Sequence, residues 1–357
     1  MQRILLSLGL LAALLLPAAA QAWWHADWAY RTKIVLDTGR TGVPLTGTVT
    51  AVPVAIRLHA GNFNFLDTRD NGADLRFIAG DDKTPLPFHI DIYDWVDEIG
   101  IVWVQVPKLG GADAPPYIWM YYGNPHATPA GDPKATYDAD QTAVFHFAAR
   151  QVAPQNSTAY ANNAKSSTAA IVAAGYLDRA AHFDAASRIV IPPSPSLKLP
   201  AGGALTFSAW LKPDAPKPGG VPAAGGQAIL TRQDGASSFS IGLQDGQVIA
   251  RIVAADGTVL ATPAGARLPA GDWHHLAVTV SDHVTIYLDG IEAASMAARL
   301  PALDSEIVLG APETASAPAT GGFVGAMDEV QSPGRALARM GQARRTGPGA
   351  GQQARHT

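Results

Sequence analysis

After its first two dozen positions, this chain is built from short runs of alternating apolar and polar residues, each cut off by Gly, Pro, Asp or Asn. Side chains of a strand leave alternate faces, so a period of two predicts strands with one face on a core. Strands are expected over Tyr30–Asp37, Val52–His59, Ala73–Ala79, Phe88–Trp95, Ile101–Val106 and Tyr117–Tyr122, with turn residues such as Asn71-Gly72, Asp81-Asp82 and Gly123-Asn124-Pro125 between them. A second block carries three tight-hairpin signals: Asp245-Gly246, Asp256-Gly257 and Asp289-Gly290. An Asp-Gly pair supplies the positive φ that such turns need. Within Val284–Asp289, Val284, Ile286 and Leu288 point one way and Thr285, Tyr287 and Asp289 the other. The expected fold class is all-β, with two antiparallel β-sandwich domains at 23–147 and 177–331.

Between these blocks the alternation is lost. Residues 148–176 are polar and aperiodic and read as a linker or long surface loop. After Gln331 the sequence turns Gly-, Gln- and Arg-rich, with no acidic residue beyond Glu329, so 332–357 are expected to form a disordered basic tail. At the other end, Arg3 precedes the uncharged run Ile4–Leu16, and Pro17 leads to Ala20-Gln21-Ala22, a small-x-small cleavage pattern. Residues 1–22 are therefore expected to be a secretory signal peptide. Its apolar run is short of the roughly 20 residues that span a bilayer. The mature chain is expected to start at Trp23 and to work in the periplasm or outside the cell.

Composition narrows the chemistry. A net charge of −4 argues against nucleic acid as a partner. No second apolar stretch is long enough for a membrane span. With no Cys there is no disulfide, no acylated lipoprotein anchor and no thiol nucleophile. Neither a G-x-S-x-G elbow nor a Walker loop occurs.

In the second block, Gly271-Asp272-Trp273-His274-His275-Leu276-Ala277-Val278-Thr279-Val280 is followed by Val284–Gly290, which contains Tyr287-Leu288-Asp289-Gly290. Leu205–Leu211 contains an apolar strand ending in Trp210-Leu211, and Phe323-Val324-Gly325-Ala326-Met327-Asp328-Glu329-Val330 closes the block. Ala181-His182-Phe183-Asp184 opens it. These marks, in this order, resemble the laminin-G-like/concanavalin A-like jelly roll. The resemblance implies two antiparallel sheets in jelly-roll order. The first block resembles the domain-of-unknown-function family numbered 2341, through Trp28-Ala29-Tyr30-Arg31, Gly72–Phe77, Leu86–Asp91, Val102–Pro107 and Tyr121–Pro125. Proteins with this pair of domains often continue into a MotA/TolQ/ExbB-type proton-channel module, and no such module is expected within this chain.

Candidate sites follow from residue type and spacing. His274 and His275 are strand neighbours, so their side chains leave opposite faces and structural roles are expected for both. Asp91, Asp94, Asp97 and Glu98 are the densest acidic group, and paired carboxylates are the machinery of glycoside hydrolysis. Their sequence also fits a solvated turn. Tyr93 and Trp95 share one strand face, Tyr117, Trp119 and Tyr121 share another, and Trp103 lies on the strand between. Exposed rings of this kind stack on sugars, and buried ones build cores. Tyr93, Trp95, Trp103 and Trp119 are the expected aromatic platform. The jelly-roll resemblance implies a structural Ca²⁺ held by Asp184 and Asp328, the alternative for Asp328 being a carboxylate that caps local backbone N–H groups. No other cofactor is expected.

The sequence thus points to an exported, non-catalytic binding protein, with a glycan or an envelope protein as its partner. The alternatives are an extracytoplasmic module of a MotA/TolQ/ExbB-type system and a glycoside hydrolase.

Overall fold

The computed structural model describes residues 23–39, 45, 47–110, 116–148, 153–215, 226–312 and 320–334, and the backbone of 354–355. The expected signal peptide and most of the expected tail lie outside the described residues. The first six strands are β1 (Tyr30–Val35), β2 (Val49–His59), β3 (Arg76–Ala79), β4 (Phe88–Asp94), β5 (Ile99–Leu109) and β6 (Tyr117–Tyr122). They form two three-stranded layers, β1-β6-β3 and β2-β5-β4, apart from a short pairing of Ala354–Arg355 with β1. Val102, Val104 and Val106 of β5 face Ile118, Met120 and Tyr122 of β6 across a shared apolar core. The residues between them, Ile101, Trp103 and Gln105, therefore face outward.

A single turn of helix, α1 (Pro133–Thr136), starts where the Asp132 carboxylate accepts from the N–H groups of Lys134 and Ala135. The next strand, β7 (Gln141–Phe145), crosses out of the first block and pairs with a strand almost two hundred residues away.

The jelly roll then comprises β8 (Ser166–Ser167), β9 (Ala170–Val172), β10 (Ala180–Asp184), β11 (Ile189–Ile191), β12 (Leu205–Pro213), β13 (Gly226–Asp234), β14 (Ser237–Gln244), β15 (Gln247–Val253), β16 (Val259–Ala261), β17 (His274–Val280), β18 (His283–Leu288), β19 (Ile291–Ala297), β20 (Ile307–Leu309), β21 (Thr320–Gly322) and β22 (Val324–Pro333). One sheet runs β19-β18-β17-β12-β22-β10-β9, with β7 also on β22, and the other runs β16-β15-β14-β13-β20-β11-β8. Pairing is antiparallel except for β21 on β13. Asp245 and Gly246, at φ 52° and 78°, make the β14–β15 turn, and Asp289 and Gly290, at 50° and 78°, the β18–β19 turn. Both turns match the Asp-Gly signals.

The segment read as an aperiodic linker is built into the fold. Ser166–Ser167 and Ala170–Val172 add strands to opposite sheets. Buried Asn156 accepts from the Val144 N–H at 2.9 Å and donates to the Thr142 carbonyl at 3.1 Å. Asn162 donates to the same carbonyl at 2.8 Å. Short polar side chains here replace ladder hydrogen bonds, and so leave no periodic apolar signal in the sequence.

Candidate functional site

Two regions gather chemistry-bearing side chains. The first is the outer face of the β1-β6-β3 sheet. Tyr117, Trp119 and Tyr121 alternate along β6 with its core residues, which places all three on this face. Arg31 on β1 stands opposite Tyr121, and Lys33 opposite Trp119. The Arg31 guanidinium lies 4.2 Å from the Trp119 ring and 4.7 Å from the Trp23 ring, so it is stacked between two indoles. The Lys33 ammonium lies 3.8 Å from the Tyr117 ring. Asp82 accepts at 2.5 Å from both the Arg31 guanidinium and the Tyr121 hydroxyl. Burial, together with that donated hydrogen bond, pushes the Tyr121 phenol up. Trp23, at 40% exposure, leaves the rim of the face open to solvent.

The second region is the seam where the outer faces of β4 and β5 meet those of β7 and β22. The Trp103 ring stacks 4.9 Å from the His146 ring, and His89 lies 5.4 Å from it. Tyr137 hydrogen-bonds to His146 Nε2 at 2.7 Å. His146 Nδ1 sits 3.0 and 2.9 Å from the two oxygens of Glu329. Asp91 completes the group: ligand atoms of Asp91, His146 and Glu329 all lie within 4.8 Å of one another.

Two β-bulges create this meeting. On β4 the register steps from Ile90↔Val102 to Ile92↔Ile101, which leaves Asp91 unpaired and turned out of the ladder. On β22 it steps from Asp328↔Trp210 to Gln331↔Ser208, and Glu329 takes φ 51°. Met327 and Val330 on either side stay in the core. Both Asp328 and Glu329 are thereby turned toward the seam.

The electrostatics are those of carboxylates removed from water. Burial pushes Asp91 up to about 6, with Glu329 and Asp178 adding to the rise and His146 opposing it. Burial and then Glu329 push Asp328 well above the usual carboxylate range. His89 is driven down to about 3 by burial and then by His146. Both of its ring nitrogens are buried without a hydrogen-bond partner.

The expected aromatic platform does not assemble. Trp95 stands open at 59% exposure in the β4–β5 turn. Tyr93 turns back to the first core, packs on Phe65 and hydrogen-bonds to Thr68. Trp103, only 2% exposed, is in the seam, and Trp119 lies beneath Arg31 on the far sheet. The four rings thus end in four separate places, the three on strands being separated by the pleat. The acidic group divides as well: Asp91 enters the seam, while Asp94 accepts from the N–H groups of Val96 and Asp97 within its own turn. Asp184 stands opposite Val324, four residues from Asp328, or about 13 Å along the strand. Its carboxylate caps Ala186 and Ser187. Asp328 accepts from the N–H groups of Tyr176, Leu177 and Glu329. The two do not converge on one ion position. His275 is buried beside Trp210, and His274 pairs with Asp289 at 2.7 Å.

Residues 183–339 match the family model of the concanavalin A-like lectin/glucanases superfamily. Residues 71–164 match that of the domain of unknown function DUF2341. Comparison with the curated proteins finds no relative. Among solved structures, the chain is similar to the binding domain of Paraclostridial Mosquitocidal Protein 1, at 16% identity and TM-score 0.46 over 57% of this chain and 51% of that one. It is similar to the botulinum neurotoxin serotype G binding domain at 12% and 0.46, over 57% and 50%. The aligned part thus spans about half the length of each. Domain 4 of AbnA, a GH43 extracellular arabinanase from Geobacillus stearothermophilus, in complex with arabinotriose, aligns at 19% and 0.43, over 57% of this chain and 96% of that one.

In the concanavalin A-like domain, the closing strand supplied a motif, but not the role of Glu329. Sequence reasoning passed over His89, His146 and Glu329 as site residues. Alternation was the available signal for His146, because Ala143, Phe145 and Phe147 are core and the residues between them face the seam. A bulge carries no such signal, so the turning of Glu329 was not legible.

Proposed function

We propose that this chain is an exported, non-catalytic binding protein that recognises a glycan at the exposed Trp23 rim of the outer face of its β1-β6-β3 sheet. The observation that carries this reading is the Trp23–Arg31–Trp119 stack beside the Arg31–Asp82–Tyr121 hydrogen-bond group, at a rim where Trp23 is 40% exposed. Sugar recognition needs a ring face for C–H contacts, and Arg31, held by the buried Asp82–Tyr121 group, lies against Trp23 and fixes the ring that offers one. Lys33, above Tyr117, favours a glycan bearing carboxylate or sulfate. The jelly-roll match supports a surface-display role, since that architecture hosts many binding modules. Among the described residues no helix is long and apolar enough to cross a membrane.

The test is a glycan array followed by titration. Binding by the full chain that falls at least tenfold in Trp23→Ala and in Lys33→Ala supports the reading. Failure to retain any acidic or neutral glycan at millimolar concentration, or retention unchanged in both variants, sinks it. Capture of an envelope protein without glycan would then replace it.

A further inference from the structure

We propose that Asp91, His146 and Glu329, with His89 as a fourth donor, form a site for a divalent transition ion of the Zn²⁺ class, held between the two domains. The donors come from both sides of the seam: His89 and Asp91 from β4, His146 from the end of β7, and Glu329 from the bulge in β22.

The donor set is two imidazoles and two carboxylates. That mixture suits Zn²⁺ and its first-row neighbours, whereas Ca²⁺ and Mg²⁺ want oxygen alone. Ligand atoms around a tetrahedral ion with bonds of about 2.0–2.1 Å stand roughly 3.4 Å apart. The three-residue group is already within 4.8 Å. His89 stands beside that group, its ring 5.4 Å from that of His146, and would turn in to complete the shell.

His146 is prepared for such a role. Tyr137 engages Nε2, which fixes the ring and leaves Nδ1 directed at Glu329. A second-sphere partner of this kind is the usual companion of a metal-bound imidazole. Without metal, Nδ1–H donates to the Glu329 carboxylate. With an ion on Nδ1, the ring proton sits instead on Nε2 and is donated to the Tyr137 oxygen.

His89 is the independent sign of a missing partner. It is buried, and neither nitrogen has a hydrogen bond. An imidazole left so is costly unless something else occupies its lone pair.

Charge balance points the same way. Asp91 and Glu329 bring two carboxylates together around one imidazole, His146, in the seam. A dication supplies the compensation that buried carboxylates need. There is also an entrance. Asp91 is only partly buried and interacts electrostatically with Asp178, which is in turn within reach of Asp94 and Asp97. With Arg179 paired to Asp178 at 3.3 Å, these carboxylates still outnumber the cations on the solvent side of Asp91.

The experiment titrates the tag-free full chain with Zn²⁺, with Co²⁺ as spectroscopic probe and Ca²⁺ as control. One equivalent of Zn²⁺, the intense visible bands of four-coordinate Co²⁺ and indifference to Ca²⁺ are expected. Asp91→Asn, at the mouth of the site, should weaken Zn²⁺ at least tenfold while its circular dichroism stays native, and Glu329→Gln should do the same. No stoichiometric Zn²⁺, or Zn²⁺ held as tightly by both variants, overturns the proposal. The second result would assign binding to surface pairs such as His182–Asp214 or His274–Asp289. The ligand shell is read separately on the unaltered chain by Zn K-edge absorption. Imidazole together with oxygen supports the site, and oxygen alone overturns it, whether or not the variants fold. Loss of glycan binding in Trp23→Ala has no bearing on this result, because Trp23 belongs to the other face.

Discussion

The rings of Trp103 and His146 stack at 4.9 Å with 27° between their planes, and they belong to different halves of the molecule. Trp103 comes from the outer face of β5, and His146 follows β7, which is hydrogen-bonded into the jelly roll. The pair joins two sandwiches that sequence alone separates.

Replacing Trp103 by Ala should therefore cost about 3–5 kcal/mol, the usual penalty for emptying a buried indole site. The loss falls on the seam between two cores, so calorimetry should show one unfolding transition becoming two. Trp103→Phe keeps a ring against His146 and should retain most of the coupling.

Arg31 tests the outer face. Its side chain is 8% exposed and that of Asp82 13%, so the pair is nearly dry. Arg31→Ala leaves Asp82 facing only the Tyr121 hydroxyl and should cost about 3 kcal/mol, read as a lower urea midpoint with unchanged slope. Arg31→Lys should recover only part, because a point charge cannot stack between Trp23 and Trp119 as a planar guanidinium does.

Gly310 has φ 81°, and a Cβ placed there would lie 2.0 Å from the Phe183 ring. That ring is fully buried in the jelly-roll core and cannot retreat. Gly310→Ala should lose about 3 kcal/mol or more, and Phe183→Leu in the same chain should restore part of it.

His89→Phe, measured with chelator present, should stabilise the chain by about 1 kcal/mol. The substitution removes two buried nitrogens that have no partner and keeps most of the ring volume. A destabilised His89→Phe under those conditions would mean that these nitrogens are satisfied in solution.

Much of the architecture was legible in the chain. Residues such as Val284, Ile286 and Leu288, or Val102, Val104 and Val106, lie on core faces because pleat geometry converts alternation into sidedness. Asp245-Gly246 and Asp289-Gly290 make turns because only certain residues accept positive φ. The candidate sites were less legible. Alternation says that Trp103 and Trp119 leave the core, but not whether water or protein awaits them. One meets His146 and the other Arg31.

Local chemistry determined the strand pattern, the hairpins and the family of the second domain, because each depends on neighbours a few residues apart. Tertiary structure alone decided that Asp91 and Glu329 share a seam. They are far apart in sequence, and each is turned outward by a bulge, one extra residue that shifts pairing without altering composition. It also decided that β7 completes a sheet beside β22. Hydrogen-bonded registry between distant strands depends on how whole layers pack, and no stretch of sequence states that by itself.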